Sequence, residues 1–287
     1  MTVSHSNPMQ RSHLWLVSAG PGDPDLLTLK AVKAIEHADV ILYDSLVHQD
    51  VLRHAQPNAE LTCVGKRAGM ESTPQEGIHQ LIGQAAMKGK RIVRLKGGDA
   101  MMFGRAGEEM AFADDIGLSW TYVPGISCGT SLAGLAGIPL TKRGVASSVW
   151  MGTATDQHGR LAPDLMEALD SASTLVVFMG RRRIQDIARR LVQVDKGDMP
   201  IAVISRGSLP NQKMVVHSAN DWNTMTMLPP IDDPALLVVG DVVHSRSDQS
   251  AQNLHQLLPH LNTFSDEYQV PHFPQGRTQT NQRLRRV

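Results

Sequence analysis

Short apolar runs alternate along this chain with stretches whose apolar residues recur at threes and fours. The first pattern predicts strands and the second amphipathic helices. Leu14 to Ser18 predicts a strand that runs into Ala19-Gly20-Pro21-Gly22-Asp23, and a helix with Leu26, Leu29, Val32 and Ile35 follows. Asp39–Tyr43 and Leu61–Val64 predict two more strands. Thr73 as N-cap, Pro74 at the first helical position and Glu76 two further on predict a capping-box helix with apolar face Ile78, Leu81, Ile82 and Ala85. Gly89 is its expected stop. Arg91–Leu95 then leads into Lys96-Gly97-Gly98-Asp99, and Ser119–Val123 into Pro124-Gly125.

The second half repeats the style with strands expected at Ser147–Met151, Thr174–Met179, Pro200–Ser205, Met214–His217 and Ala235–Val239. Its helices are expected near Pro163–Leu169, Ile184–Val192 and Asp221–Met227. Strands separated by helices imply α/β architecture and a mainly parallel sheet covered on both faces. The joint is expected around Gly137 to Arg143, where Ile138-Pro139-Leu140-Thr141 breaks the preceding helix. The reading is two α/β domains, residues 12–138 and 139–245, and a polar, poorly ordered tail over 246–287. That tail ends with Arg277, Arg283, Arg285 and Arg286. No internal repeat is present.

Composition narrows the function classes. Of 287 residues 41% are hydrophobic, which excludes disorder of the whole chain. Lys plus Arg and Asp plus Glu each total 28, so a general binder of nucleic acid or anionic membrane is not expected. Cys63 and Cys128 cannot build a disulfide scaffold. Met1 to His13 lacks a signal-peptide core, and no apolar run approaches the roughly 18–20 residues of a membrane span. A cytoplasmic protein is expected.

Three glycine-bearing loops follow strands: Gly20-Pro21-Gly22-Asp23, Gly97-Gly98-Asp99 and Pro124-Gly125-Ile126-Ser127. In open parallel sheets ligands bind beyond the carboxyl ends of strands, where glycine lets backbone approach closely. The first loop is not a dinucleotide fingerprint, since Pro21 separates its glycines and Asp23-Pro24-Asp25 follows. Acids at a helix start repel a pyrophosphate. There is no P-loop, no G-x-S-x-G elbow and no Cys/His set with metal spacing. A ligand with a positive centre, or a neutral nucleoside, suits these loops better.

Longer stretches carry a resemblance. The run Leu16-Val17-Ser18-Ala19-Gly20-Pro21-Gly22-Asp23-Pro24-Asp25-Leu26-Leu27-Thr28-Leu29 resembles the opening signature of the uroporphyrinogen-III C-methyltransferases, within the tetrapyrrole methylases. Val64-Gly65-Lys66-Arg67-Ala68-Gly69, Val93-Arg94-Leu95-Lys96-Gly97-Gly98-Asp99, Phe103-Gly104-Arg105 and Gly107-Glu108-Glu109 follow in order. Val123 to Ser127, Ala136 to Thr141 with Arg143, Phe178-Met179-Gly180, Arg206-Gly207-Ser208 with Gln212, and Pro234-Ala235-Leu236 complete it.

The resemblance implies two α/β domains with S-adenosylmethionine in the cleft between them. It implies transfer of methyl groups to C2 and C7 of uroporphyrinogen III, giving precorrin-2 for sirohaem, cobalamin or haem d1 synthesis. A homodimer without metal, nucleic-acid or membrane partner is implied too. Matched residue by residue, the cofactor positions are Pro21, Gly97, Gly98, Asp99, Met102, Ser127, Cys128, Met179, Ser208, Ala235 and Leu236. Arg105, Glu108, Arg143 and Met179 match substrate positions, with Asp44 and Lys66 of second rank; Arg105 and Glu108 are the catalytic candidates.

Four positions depart from the family pattern. Ala100 stands where proline is usual, Ala106 for a glycine, Ser45 for an arginine and Lys142 for a histidine. Sister methylases acting on a later corrin intermediate, diphthamide or ribosomal RNA share the architecture. The Lys66-Arg67-Ala68-Gly69 and Gly104-Arg105 segments favour uroporphyrinogen III. With no dehydrogenase–chelatase segment ahead of Leu14, a single-activity methylase is expected. Without the resemblance, Arg105 reads as half of a surface ion pair with Glu108 or Glu109, and Met179 as ordinary packing.

Overall fold

The computed structural model describes residues 8–65, 73–171 and 173–247. Lys66 and the expected tail beyond Ser247 lie outside these described residues. In the first half, strands β1 (His13–Ser18), β2 (Val40–Tyr43), β3 (Glu60–Cys63), β4 (Arg91–Lys96) and β5 (Trp120–Val123) form one sheet. Their order is β3-β2-β4-β1-β5 and every pairing is parallel. Helices α1 (Pro8–Arg11), α2 (Leu29–Glu36), α3 (Gln75–Met87) and α4 (Ala106–Asp115) precede and connect the strands. One face packs Ala31 and Ile35 of α2 on Val17, Ile41, Val93 and Val123. The other packs Ile78 and Ile82 of α3 and Ala113 of α4 on Leu14, Leu16, Leu42 and Ile92.

The second half holds helices α5 (Cys128–Leu135), α6 (Pro163–Ser171), α7 (Ile184–Gln193) and α8 (Ala219–Thr224). Its strands are β6 (Val149–Thr153), β7 (Thr174–Phe178), β8 (Pro200–Ser205), β9 (Lys213–Ser218) and β10 (Ala235–Val239), ordered β6-β7-β10-β8-β9. Each strand lies close to its expected bounds, but this sheet is not mainly parallel. Only β6 and β7 run parallel; β10 is antiparallel to both β7 and β8, and β8 to β9. For β9 the reason is connection length. The turn between Ser205 and Lys213 is too short for a crossover helix, so β9 must return antiparallel. Trp222, fully buried, anchors α8 under this sheet and donates its indole N–H to the Ile201 carbonyl at 3.2 Å.

Helix α5 follows β5 of the first sheet yet packs Leu132, Ala133 and Ala136 on Val176, Ile204, Leu236 and Val238 of the second. It is therefore the covalent and packing link between the two sheets. Among the described residues, no helix is long and apolar enough to cross a membrane.

Three helix starts differ from the pattern reading. Leu26 ends a 3-10 turn (Pro24–Leu26), and α2 begins afterwards because the Thr28 hydroxyl caps the Ala31 N–H at 3.2 Å. Leu29 consequently faces solvent. In α3 the N-cap is Pro74, with no side-chain cap; Thr73 instead donates its N–H to the Val64 carbonyl at 3.1 Å. The expected stop is present, with Gly89 at φ 69°. Helix α8 starts earlier than expected, because Ser218 and Asp221 form a reciprocal capping box.

Candidate active site in the cleft

The three glycine loops meet at the carboxyl edge of the first sheet. Gly20 and Gly98 exchange backbone hydrogen bonds, Gly98 N–H to Gly20 O at 2.6 Å and Gly20 N–H to Gly98 O at 3.1 Å. Asp99 ties the remaining loop in. Its carboxylate accepts the Tyr122 hydroxyl at 2.6 and 2.7 Å, the Gly125 N–H at 3.0 Å and the Met101 N–H at 2.9 Å. Ala100 donates its N–H to Ser18 Oγ at 2.9 Å. The Ser127 hydroxyl caps α5 by accepting the Gly129 N–H at 3.2 Å.

Burial, then the proton it shares with Asp99, pushes the Tyr122 phenol up to about 12 from 10.0. The neutral phenol is thus favoured by folding, and its stabilisation is complete below the unfolded value and lost as pH rises through the folded one. Folding stability should therefore fall between pH 10 and about 12. Chemical denaturation across that window should show a shallower slope in Tyr122→Phe; an identical slope would mean other groups set it.

Opposite these loops, the ends of β7 and β10 and the turn after β8 close a cavity of about 400 Å³. Pro21, Cys128, Met179, Ala235 and Leu236 line it, so five of the sequence-expected cofactor positions, drawn from both halves of the chain, share one space. The pattern reading missed Leu46, Leu132, Phe178, Gly207 and the Asp233-Pro234 pair, which also line it. A second hollow shares Pro21, Leu46, Gly207, Asp233 and Pro234 and extends the cleft past Ser45. Glycine is required where the walls touch: a Cβ on Gly207 would lie 2.5 Å from Leu132 Cδ2, and one on Gly98 3.3 Å from Cys128 Sγ. Burial raises the Cys128 thiol above its ordinary range, so it is a protonated wall group.

Other expected cofactor positions support the walls. Gly97 packs behind Leu46, where its Cβ would come within 3.1 Å of the Leu46 Cβ. Ser208 is buried and accepts the Asp23 N–H at 3.0 Å, pinning the first loop to the second half. Neither Met102 nor Ser127 lines the cavity. Apart from Asp195, the non-glycine residues with positive φ among the described residues are Phe103, Arg105, Met179, Arg206 and Ser208. All stand in loops after β4, β7 and β8. Each such conformation costs on the order of 1–3 kcal/mol, and such strain gathers at functional sites.

Of the expected substrate residues among those described, only Met179 lines the cavity. Arg105 opens α4 at φ 57° and pairs with Glu108, Nε to Oε1 and Nη2 to Oε2, both at 2.7 Å. The surface ion pair anticipated for Arg105 is thus present, and both partners are exposed. The mutual hydrogen bonds raise the Arg105 guanidinium and lower the Glu108 carboxyl from their ordinary values. Arg143 is exposed and makes no hydrogen bond or ion pair among the described residues. Arg181 is committed to Asp233 through two bonds of 2.8 Å.

Asp44 belongs to a buried charge cluster that the pattern reading did not identify. Arg94 reaches Asp44 through Nη2 and Glu109 Oε1 through Nε at 2.8 Å, and donates Nη1 to the Leu42 and Leu95 carbonyls. Lys96 Nζ sits 2.9 Å from both oxygens of Glu109, which is fully buried. Burial, then the neighbouring Arg94, pushes the Lys96 ammonium below its ordinary range, with Glu109 and Asp44 opposing. The signal was available: Arg94 and Lys96, two residues apart, share a face of a strand whose neighbours Ile92, Val93 and Leu95 are apolar, and a buried pair of cations requires a counter-ion.

The sequence matches the family described as Tetrapyrrole (Corrin/Porphyrin) Methylases over residues 13–221. The chain belongs to that family. It is 43% identical over 235 residues to the S-adenosyl-L-methionine-dependent uroporphyrinogen III methyltransferase, chloroplastic, of Arabidopsis thaliana, covering 80% of this chain and 63% of that protein. It is 40% identical over 233 residues to the uroporphyrinogen-III C-methyltransferase of Bacillus subtilis (strain 168), covering 80% of this chain and 91% of that one. The fold superimposes with a TM-score of 0.69 on the uroporphyrin-III C-methyl transferase of Thermus thermophilus complexed with S-adenyl homocysteine, at 36% identity, 81% of this chain and 94% of that one. The chain spans about half the length of the siroheme synthases that it also matches. The fold is that of the tetrapyrrole methylases: two α/β sheets with a cleft between them.

Proposed function

We propose that this chain is an S-adenosylmethionine-dependent uroporphyrinogen-III C-methyltransferase that methylates C2 and C7 to give precorrin-2, for sirohaem, cobalamin or haem d1 synthesis. One observation carries the reading: Pro21, Cys128, Met179, Ala235 and Leu236, far apart in sequence, line a single cavity of about 400 Å³. That volume suits a small-molecule site, and its lining is mainly apolar with few polar groups. The glycines that back it leave no room for side chains, as a close backbone cradle for S-adenosylmethionine requires. Gly97, Gly98, Pro21, Met102, Ser127, Cys128, Met179, Ala235 and Leu236 are proposed to hold it, with Asp99 and Ser208 shaping the loops.

When bound, S-adenosylmethionine supplies a methyl group on a positively charged sulfur. The acceptor is an electron-rich pyrrole carbon, so the protein's main task is to align the reactants and exclude water. Holding reactants in line is worth about 7–11 kcal/mol of barrier. Arg105, Arg143, Glu108, Asp44 and Lys66 are proposed to orient the macrocycle. Guanidinium groups bind carboxylates bidentately and remain charged. A homodimer acting in the cytoplasm is proposed as well.

The decisive assay combines the chain, S-adenosylmethionine and enzymatically made uroporphyrinogen III. The expected result is a doubly methylated tetrapyrrole whose oxidised chromophore is read by absorbance and mass. S-adenosylhomocysteine binding without methylation would point to a sister methylase. Arg105→Lys is expected to lower kcat/KM about tenfold by removing bidentate geometry while keeping charge. Unaltered steady-state kinetics would end the clamp role.

A further inference from the structure

Phe103 has no place in the cofactor cavity and matches none of the substrate positions named above, yet its surroundings are built with care. It sits two residues before Arg105 at φ 55°, a conformation unusual for an aromatic residue, and remains 45% exposed. The loop that presents it is anchored on both sides. Asp99 and Ala100 are bonded into the sheet edge, and Gly104 lies so close to Ala100 that a Cβ there would come 2.5 Å from the Ala100 carbonyl oxygen. The ring of Phe103 rests on the ring of Phe178, with centroids 4.9 Å apart and planes tilted by 57°. Phe178 lines the cavity and in turn packs against the first turn of α5, where a Cβ on Gly129 would fall 2.7 Å from Phe178 Cζ. The contact thus joins a loop of the first sheet to a strand of the second across the cleft.

The apolar surface continues along the mouth. Leu46 and Met179, 61% and 63% exposed, both line the cavity and stay open to solvent. Cations stand near this surface: Arg105, paired with Glu108, on the Phe103 loop, and Arg182, which lines the cavity and whose side chain makes no hydrogen bond or ion pair among the described residues. A broad apolar wall with guanidinium groups at its edge complements a flat ring system that carries carboxylates on its periphery. It does not complement the small charged sulfur of the cofactor.

We propose that the exposed face of Phe103 is a substrate contact, an apolar platform on which the tetrapyrrole ring rests at the mouth of the cleft. This rests on the proposed function and deepens it. Phe103 then governs how the ring is held and leaves cofactor affinity alone, since Phe178 stands between it and the cavity.

The test measures, on the full chain, steady-state kinetics with uroporphyrinogen III, S-adenosylhomocysteine affinity by calorimetry, and the thermal midpoint. Phe103→Ala is expected to raise KM for uroporphyrinogen III about tenfold, the size of a lost aromatic contact and its buried area. Cofactor affinity and the thermal midpoint should not move, and Phe103→Leu should recover part of the KM. An unchanged KM in Phe103→Ala overturns the proposal. So does a parallel loss of cofactor affinity or thermal stability, which would make Phe103 a packing residue behind Phe178. If the unaltered protein methylates uroporphyrinogen III while Phe103→Ala matches it, only the platform is lost. If the unaltered protein leaves uroporphyrinogen III unmethylated, the functional reading itself has failed.

Discussion

Asp99→Ala is expected to lower kcat/KM for the tetrapyrrole by about 100-fold and to weaken S-adenosylhomocysteine binding as well. The carboxylate gathers the Tyr122 hydroxyl and the Gly125 and Met101 N–H groups, so a single side chain sets the relative positions of the loops after β4 and β5. Truncation leaves these donors without their acceptor, at about 1–3 kcal/mol for each that stays buried. The Gly20–Gly98 backbone pair survives, so the first two loops remain joined while the third drifts. Aligned displacement chemistry is sensitive to such drift, and a misplacement of about 1 Å is enough for a loss of this order. Kinetics and calorimetry on the same preparation check it; a kcat/KM close to the unaltered value would show that the loops hold their own geometry.

The second large effect concerns stability. Glu109→Ala should lower the free energy of unfolding by about 3–5 kcal/mol, because removing one partner of a buried ion pair strands the others. Here it strands two cations: Lys96, 3% exposed, loses both its carboxylate contacts, and Arg94, 2% exposed, keeps only Asp44 and two carbonyls. Lys96 already sits below its ordinary pKa, so losing Glu109 should drive it further toward the neutral amine. Urea denaturation gives the stability change. A loss within a few tenths of a kcal/mol would mean that water reaches the cluster and replaces the carboxylate. The cluster also spans β4, α4 and the end of β2, so the change should disturb Asp44 and the start of α4 together.

Much of the frame could be read from residue patterns because its causes are local. The strand runs are short, apolar and ended by Gly, Pro or Asp, and each appears near its expected place. Gly89 ends α3 for a reason contained in its own lack of a Cβ. Helix starts were less legible, since capping depends on which hydroxyl reaches which N–H. Thr28 and Ser218 compete successfully with their neighbours, whereas Thr73 turns its N–H to Val64. The direction of β9 was contained in its short connection to β8, whereas that of β10 was not legible, because strand patterns are the same whichever way a strand runs.

By its sequence alone the chain determined its family, its alternation of strands and helices, and the glycine loops at the edge of a parallel sheet. Motif order and side-chain periodicity are properties of one dimension and need no packing to be seen. Only the tertiary structure decided that the second sheet is mostly antiparallel, and that α5 crosses from one sheet to pack on the other. It also decided that Leu46, Phe178 and Gly207 share a cavity with Pro21 and Ala235, and that Arg94, Lys96 and Glu109 neutralise one another out of water. Those are contacts between residues far apart in the chain. Their energies come from burial, and burial exists only once helices and sheets have packed on one another.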